Sequence, residues 1–387
     1  LFGNLVFDLV WDQPPYKTDL FKQRFKDLFN FAIFPFYWSS YERKPGMTGW
    51  QNLLPVLEWC QANHITPKGH PLVWPYTAGV PEWVYEMPED SVESLIRARV
   101  TNIVKGFSPS IRIWDVTNEA INHISWEEAT QANFHQKYHD ISYWRGIEVN
   151  GAFKREIPIP KAADWVEKSF NWAYAANPAA TLIVNDYNQI VDPHIRQRFF
   201  DLVVELQKRG VPVSGIGLQA HPLDYCLSPP EIWETLEMYR GLNCPIHITE
   251  LHQPTWDHPI EGGWVEGTWD EEKQAEYLVQ LYRIFFGHPS VASINYWGLS
   301  DHNIWIPGAG LIDSEYNPKP AYLDLKKLIK NEWQAPPLSL TTGTGGNVAF
   351  RGFYGEYDVT IKQPGKQHKV FPIHLMENQG NMWEFTV

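Results

Sequence analysis

Short apolar runs and amphipathic stretches alternate eight times along this chain, always strand before helix, and that order restricts the fold more than any other feature. "LFGNLVFDLV" (1–10) precedes "DLFKQRFKDLF" (19–29), and "FAIFPFYW" (31–38) precedes "QNLLPVLEWCQAN" (51–63). "ITPKGHPLVW" (65–74) precedes "SVESLIRARVTNIVK" (91–105), and "IRIWDVT" (111–117) leads, after a long polar and aromatic stretch, to "KAADWVEKSFNWAYAAN" (161–177). The later units pair 180–186 with 193–210, 214–221 with 230–241, 245–251 with 271–286, and 291–297 with 320–330. Apolar strands separated by crossover helices pair in parallel. Eight such units are the content of an α/β (β/α)₈ TIM barrel. A doubly wound open sheet would place a glycine-rich phosphate turn after the first strand, and none is present. The barrel is therefore expected over 1–334. From "QAPPLSLTTGTGG" the texture changes to alternating apolar and polar residues with turn signals, so 335–387 is expected to be a small β-rich module.

Composition excludes several partners. A net charge of −13 disfavours nucleic acid and anionic membrane surfaces but leaves a neutral partner open. The chain contains no apolar run long enough to span a bilayer. Three cysteines, Cys60, Cys226 and Cys244, are too few and scattered for a disulfide framework or a zinc site, so buried inert thiols are expected. The chain opens without Met or a signal sequence and reads as a processed or trimmed product. Aromatic residues make up 15% of it, with 19 tryptophans. Many must belong to the core, yet indole faces also suit the apolar C–H face of a sugar ring.

The active site of such a barrel gathers at the C-terminal ends of its strands. Those ends carry His70 and Trp74 (strand three), Asn118 and Glu119 (four), Tyr187 (five), Gln219 and His221 (six), Glu250 and His252 (seven), and Trp297 with Trp305 (eight). Alone, each has a plainer reading: a core histidine, a packing tryptophan, a salt-bridged glutamate. Together they place two carboxyls, amides and indoles around one pocket, which is what glycoside hydrolysis needs.

The motifs "WDVTNEA", "ITEL", "GHPLVW", "NDYN" and "WGLSDHNIW…NPKPAY" resemble, in order and over about residues 2–330, the family 10 glycoside hydrolases, mostly endo-β-1,4-xylanases. The resemblance implies a (β/α)₈ fold and a retaining double displacement on xylan or xylo-oligosaccharides. Glu119 would be the acid/base, Glu250 the nucleophile, and Asn118 the holder of the hydroxyl next to the reacting carbon. His70, Trp74, Gln219, His221, Trp297 and Trp305 would line the site. No metal or organic cofactor would be required, and a secreted or periplasmic monomer acting on polysaccharide is expected. A binding barrel without turnover is a further alternative, opposed by the intact glutamates.

The match breaks in places. Family members carry Glu-Asn and a lysine near the second strand, whereas "FNFAIFPFYWSSYERKPG" (29–46) puts Pro35 and Phe36, or Tyr37, at those positions. Loss of these hydrogen-bonding groups predicts an altered glycone side, one that stacks or accepts a decorated or different β-glycan. Pro75 replaces a histidine after Trp74, and His252 replaces an aspartate and should face His221. The stretch 122–160, rich in aromatics such as Trp126, Phe134, Tyr138, Tyr143 and Trp144, is expected to wall the leaving-group side.

Overall fold

A computed structural model describes residues 1–10, 18–76, 79–121, 157–302, 304–376 and 380–386. The expected wall at 122–160 falls outside them up to residue 156. Eight parallel strands close into a barrel in chain order. They are β1 (Phe2–Leu5), β2 (Phe31–Pro35), β3 (Thr66–His70), β4 (Ile113–Asn118), β5 (Thr181–Asp186), β6 (Gly215–Leu218), β7 (Ile246–Leu251) and β8 (Val291–Tyr296). Closure is made by β1 against β8, with Gly3 opposite Asn295. The long connecting helix α1 (Glu89–Phe107) joins β3 to β4.

Several strands stop short of their sequence patterns, the first two among them. The run 1–10 is strand only to Leu5, and Phe7–Val10 forms a helical turn. In the run 31–38 pairing stops at Pro35, and Trp38–Tyr41 is a helical turn. In both, apolar residues continue past the last paired position, so hydrophobicity alone could not mark where pairing stops.

Strand faces turned toward the helices are apolar: the Trp114 ring of β4 packs against Phe36 at 5.0 Å. The interior of the barrel is polar. Lys68 on β3 pairs with Asp115 on β4 at 2.7 Å, and His247 on β7 meets Ser293 on β8 at 2.9 Å. Burial pulls the His247 imidazole down to about 3, Lys68 pushes it the same way and Asp115 opposes. Its folded value therefore lies below the ~6.5 of an unfolded histidine. Between those values the unfolded chain binds more protons, so stability falls as pH drops through about 6.5 toward 3. At about pH 4.5 this one group should cost roughly 2–3 kcal/mol relative to neutral pH. Denaturant unfolding of wild type and His247→Gln across this range measures it, and identical pH slopes would exclude His247 as the cause.

Cys60, Cys226 and Cys244 are buried and unbridged, and burial raises all three thiols. Among the described residues no helix is long and apolar enough to cross a membrane.

The chain divides into two compact units, Leu1–Leu325 and Lys326–Val387, so the division falls before the compositional change at Gln334, within the helix Pro320–Lys327. The second unit holds an antiparallel hairpin, β9 (Gly355–Ile361) with β10 (Lys369–Leu375), in register from Gly355–Leu375 to Ile361–Lys369.

Candidate active site

Glu119 follows the last residue of β4, and Glu250 lies one residue from the end of β7. Both are buried. Glu119 adopts a left-handed backbone (φ 60°), as does Ala220 (φ 57°), which separates Gln219 from His221. That conformation costs a non-glycine residue about 1–2 kcal/mol. Such strain gathers where side chains must be aimed against the local preference of the chain, and here it flanks the carboxylate and its amide partner.

An unbroken line of amides joins the two carboxyls. Gln219 Nε2 donates to Glu119 Oε1 (2.9 Å) and lies 3.4 Å from Asn118 Oδ1. Asn185 Nδ2 donates to the same Asn118 oxygen (2.7 Å) and to Glu250 Oε1 (2.8 Å). Thr249 Oγ1 donates to Asn185 Oδ1 (2.6 Å), which fixes which end of that amide faces the carboxylate. Gly217 makes room: a Cβ there would lie 2.3 Å from Asn185 Oδ1.

The carboxyls have different remaining neighbours. Glu119 Oε2 accepts from the Trp74 indole at 2.7 Å. Glu250 has imidazoles, with His221 Nε2 3.4 Å from Oε2 and His70 Nε2 3.9 Å from Oε1. His70 Nδ1 meets Asp115 Oδ2 at 2.7 Å, and that carboxylate also pairs with Lys68. Burial alone would raise Asp115, but Lys68 and His70 outweigh it and hold the carboxyl below its usual range. His70 is thus a hydrogen-bonded core histidine and a neighbour of Glu250 at once. His252 faces His221 with ring centroids 5.8 Å apart. Burial first and His221 second push His252 well below the ordinary histidine value, so it is neutral. Among the described residues neither of its ring nitrogens has a hydrogen-bond partner.

Aromatic rings surround this polar floor. Tyr37 packs edge-on against His70 and Trp74, each at 5.5 Å, and against Phe7 at 5.8 Å. Burial, then Glu250 and Glu119, push its phenol well above the ordinary value, so it stays protonated. Trp297 contacts His70 (5.1 Å) and Phe7 (5.6 Å). Trp305 is 56% exposed and lies over His221 and His252 at 5.7 and 5.5 Å. Tyr187 follows β5, half-buried, with its backbone amide donating to Asp186.

Sequence reading left out Asn185, Asp115, Lys68 and Phe7. Asn185 sits inside "NDYN" and Asp115 inside "WDVTNEA", so both lay in quoted motifs. Alternation along β5 would have placed Asn185 inside the barrel, two residues from Tyr187. Phe7 carried no such signal, because the run around it read as strand. Among the described residues, no cluster of His, Cys, Asp or Glu is arranged to hold a metal ion.

Comparison with known proteins identifies the family and the fold. The model of glycosyl hydrolase family 10 matches residues 34–328. Endo-1,4-beta-xylanase B of Thermotoga neapolitana is 29% identical over 287 residues, 71% of this chain and 73% of that one. Anti-sigma-I factor RsgI6 of Acetivibrio thermocellus is 27% identical over 92% of this chain, which spans only 41% of that protein. The structure of native xylanase 10B from Thermotoga maritima superposes with a TM-score of 0.66 at 25% identity, covering 86% of this chain and 95% of that one. The Thermotoga petrophila xylanase 10B, solved with xylobiose, shares the fold at the same TM-score and 24% identity. The family match covers most of the chain and runs through both strands that carry the glutamates: the chain belongs to glycosyl hydrolase family 10.

Proposed function

We propose that this chain is a retaining glycosidase that cleaves β-1,4-xylosidic linkages in xylan or xylo-oligosaccharides outside the cytoplasm. One observation carries the reading: two buried carboxyls at the ends of different strands are joined by one amide line, with an indole donor on Glu119 and imidazoles beside Glu250. Glu250 attacks the anomeric carbon as Glu119 gives its proton to the departing glycosidic oxygen, which takes the electron pair of the broken C–O bond. The product is a glycosyl ester on Glu250. Glu119, now a carboxylate, takes a proton from a water that attacks the same carbon and frees Glu250. Two inversions leave the anomeric configuration unchanged. Gln219 and Asn185 both point at Asn118 Oδ1, which leaves the Asn118 Nδ2 hydrogens for the hydroxyl beside the reacting carbon. The relatives' names support xylan as the polymer. The test is hydrolysis of β-1,4-xylo- and gluco-oligosaccharides and decorated xylan, with the first anomer released read by proton NMR. Release of β-xylose ends supports the reading; release of the α-anomer, or activity only on another glycan, overturns the mechanism or the substrate respectively.

A second reading keeps this chemistry and changes the glycone. Phe7, Ile33 and Trp297 form a buried apolar cluster against which Leu5 and Tyr37 pack. A sugar entering there meets ring faces rather than the charged groups usual in the family. Tyr37→Ala removes the ring between His70 and Trp74 and should lower kcat/KM on xylo-oligosaccharides about tenfold, ~1.4 kcal/mol. Unchanged rates along the oligosaccharide series would show that Tyr37 does not touch the sugar.

A further inference from the structure

Arg99 projects from the middle of α1 and is buried. Buried arginines are usually paired with carboxylates. This one spends both of its described hydrogen bonds on backbone carbonyls: Nε donates to Leu72 O at 3.0 Å, and Nη2 donates to Phe36 O. The guanidinium lies against two rings, 5.4 Å from Trp38 and 5.6 Å from Tyr41. The two carbonyls come from different strand exits. Phe36 immediately precedes Tyr37, and Leu72 lies two residues before Trp74. The exits are already tied together and to the catalytic strand: Phe36 N donates to His70 O (2.6 Å), Val73 N to Val116 O (3.0 Å) and Asn118 N to Val73 O (2.9 Å). A planar fork with donors at fixed separation suits the bridging of two carbonyls, and an ammonium does not replace it.

We propose that Arg99 is a positioning residue, whose fork clamps the exits of β2 and β3 and so fixes the spacing of Tyr37 and Trp74, the aromatic wall beside Glu119. The proposal rests on the reading of this mouth as the glycosidase site. The ring of Tyr37 thus has its place set from behind, by a cation on the helix side of the strand exits.

The test compares Arg99→Met and Arg99→Lys with wild type on xylotriose and follows the Trp74 indole N–H by ¹⁵N NMR, assigned with Trp74→Phe. Loss of the clamp should raise KM and lower kcat, together by about 100-fold in kcat/KM for the Met variant. It should also shift or broaden the Trp74 resonance, which reports the bond to Glu119. Arg99→Lys, able to reach one carbonyl at a time, should fall between. A lower melting temperature with KM and the Trp74 resonance unchanged would make Arg99 merely structural and overturn the proposal. If Arg99→Met does not fold, a folded Arg99→Lys with wild-type KM and resonance overturns it equally. Inactive wild type would refute the glycosidase reading, and the resonance would still decide the positioning.

Discussion

Glu250→Ala is expected to abolish turnover of xylo-oligosaccharides, with kcat at least about 10⁴-fold below wild type, ~5.4 kcal/mol of lost transition-state stabilisation. The size follows from the role: without this carboxylate no covalent ester forms, and no other described side chain has the same pair of partners. Asn185 Nδ2 and His221 Nε2 would then face a gap instead of Oε1 and Oε2. A small anion is the natural filler. Azide added with an activated aryl xyloside should enter from the vacated face and restore turnover, giving a glycosyl azide of inverted, α configuration. The measurement is product NMR beside rates with and without azide, with a melt to establish that the fold survives. Residual activity within about tenfold of wild type on the unactivated substrate would remove Glu250 from the nucleophile's role. Full loss with oligosaccharide binding retained in the wild type as well would place the chain among binding barrels.

The barrel could be read in the sequence because each unit shows two periods, apolar strand and amphipathic helix, and the strand ends inherit a common place from the topology. This put Glu119, Glu250, Asn118 and Gln219 within reach of one another before any coordinates, and in the structure they share one hydrogen-bond line. What sequence could not supply is the direction of a side chain where strand periodicity stops. Phe36 and Tyr37 follow the last paired residue of β2; Phe36 turns to Trp114 and the helix layer, Tyr37 to His70 and Trp74. Both count as aromatic residues in an apolar run, and only the backbone beyond Pro35 separates them. Asn185 was hidden for a different reason. Its importance comes from Thr249 on β7 and Asn118 on β4, partners more than 60 residues away that no local pattern links to it. Arg99 was likewise invisible, because on a helix an arginine is read as part of a solvated face.

Glu119→Ala should separate the two halves of the reaction by leaving group. On unactivated xylo-oligosaccharides, where the departing alkoxide needs a proton, kcat/KM should fall by roughly 10³-fold, ~4 kcal/mol. On an aryl xyloside whose phenol leaves without help, formation of the ester should be nearly untouched, and its hydrolysis, which needs a base, should become rate-limiting. The variant should also lose the alkaline limb of its pH–rate profile, since no acid remains to be titrated there. Some of the change will be structural: the Trp74 indole and the Gln219 amide each lose the Glu119 oxygen they donate to, at up to about 1–3 kcal/mol per bond. A melt therefore accompanies the kinetics, and Glu119→Gln, which keeps an acceptor oxygen, separates the two effects. Azide decides the assignment between the carboxylates. In Glu119→Ala it should attack the ester on Glu250 from the face that water uses, giving a β-glycosyl azide, the opposite anomer to that from Glu250→Ala. If the anomers came out exchanged between the two variants, the roles of Glu119 and Glu250 would be exchanged with them. If neither variant formed an azide adduct, double displacement at this pair would be wrong, because the β-azide needs the ester on Glu250 and the α-azide needs the face of the sugar that the Glu250 carboxylate vacates.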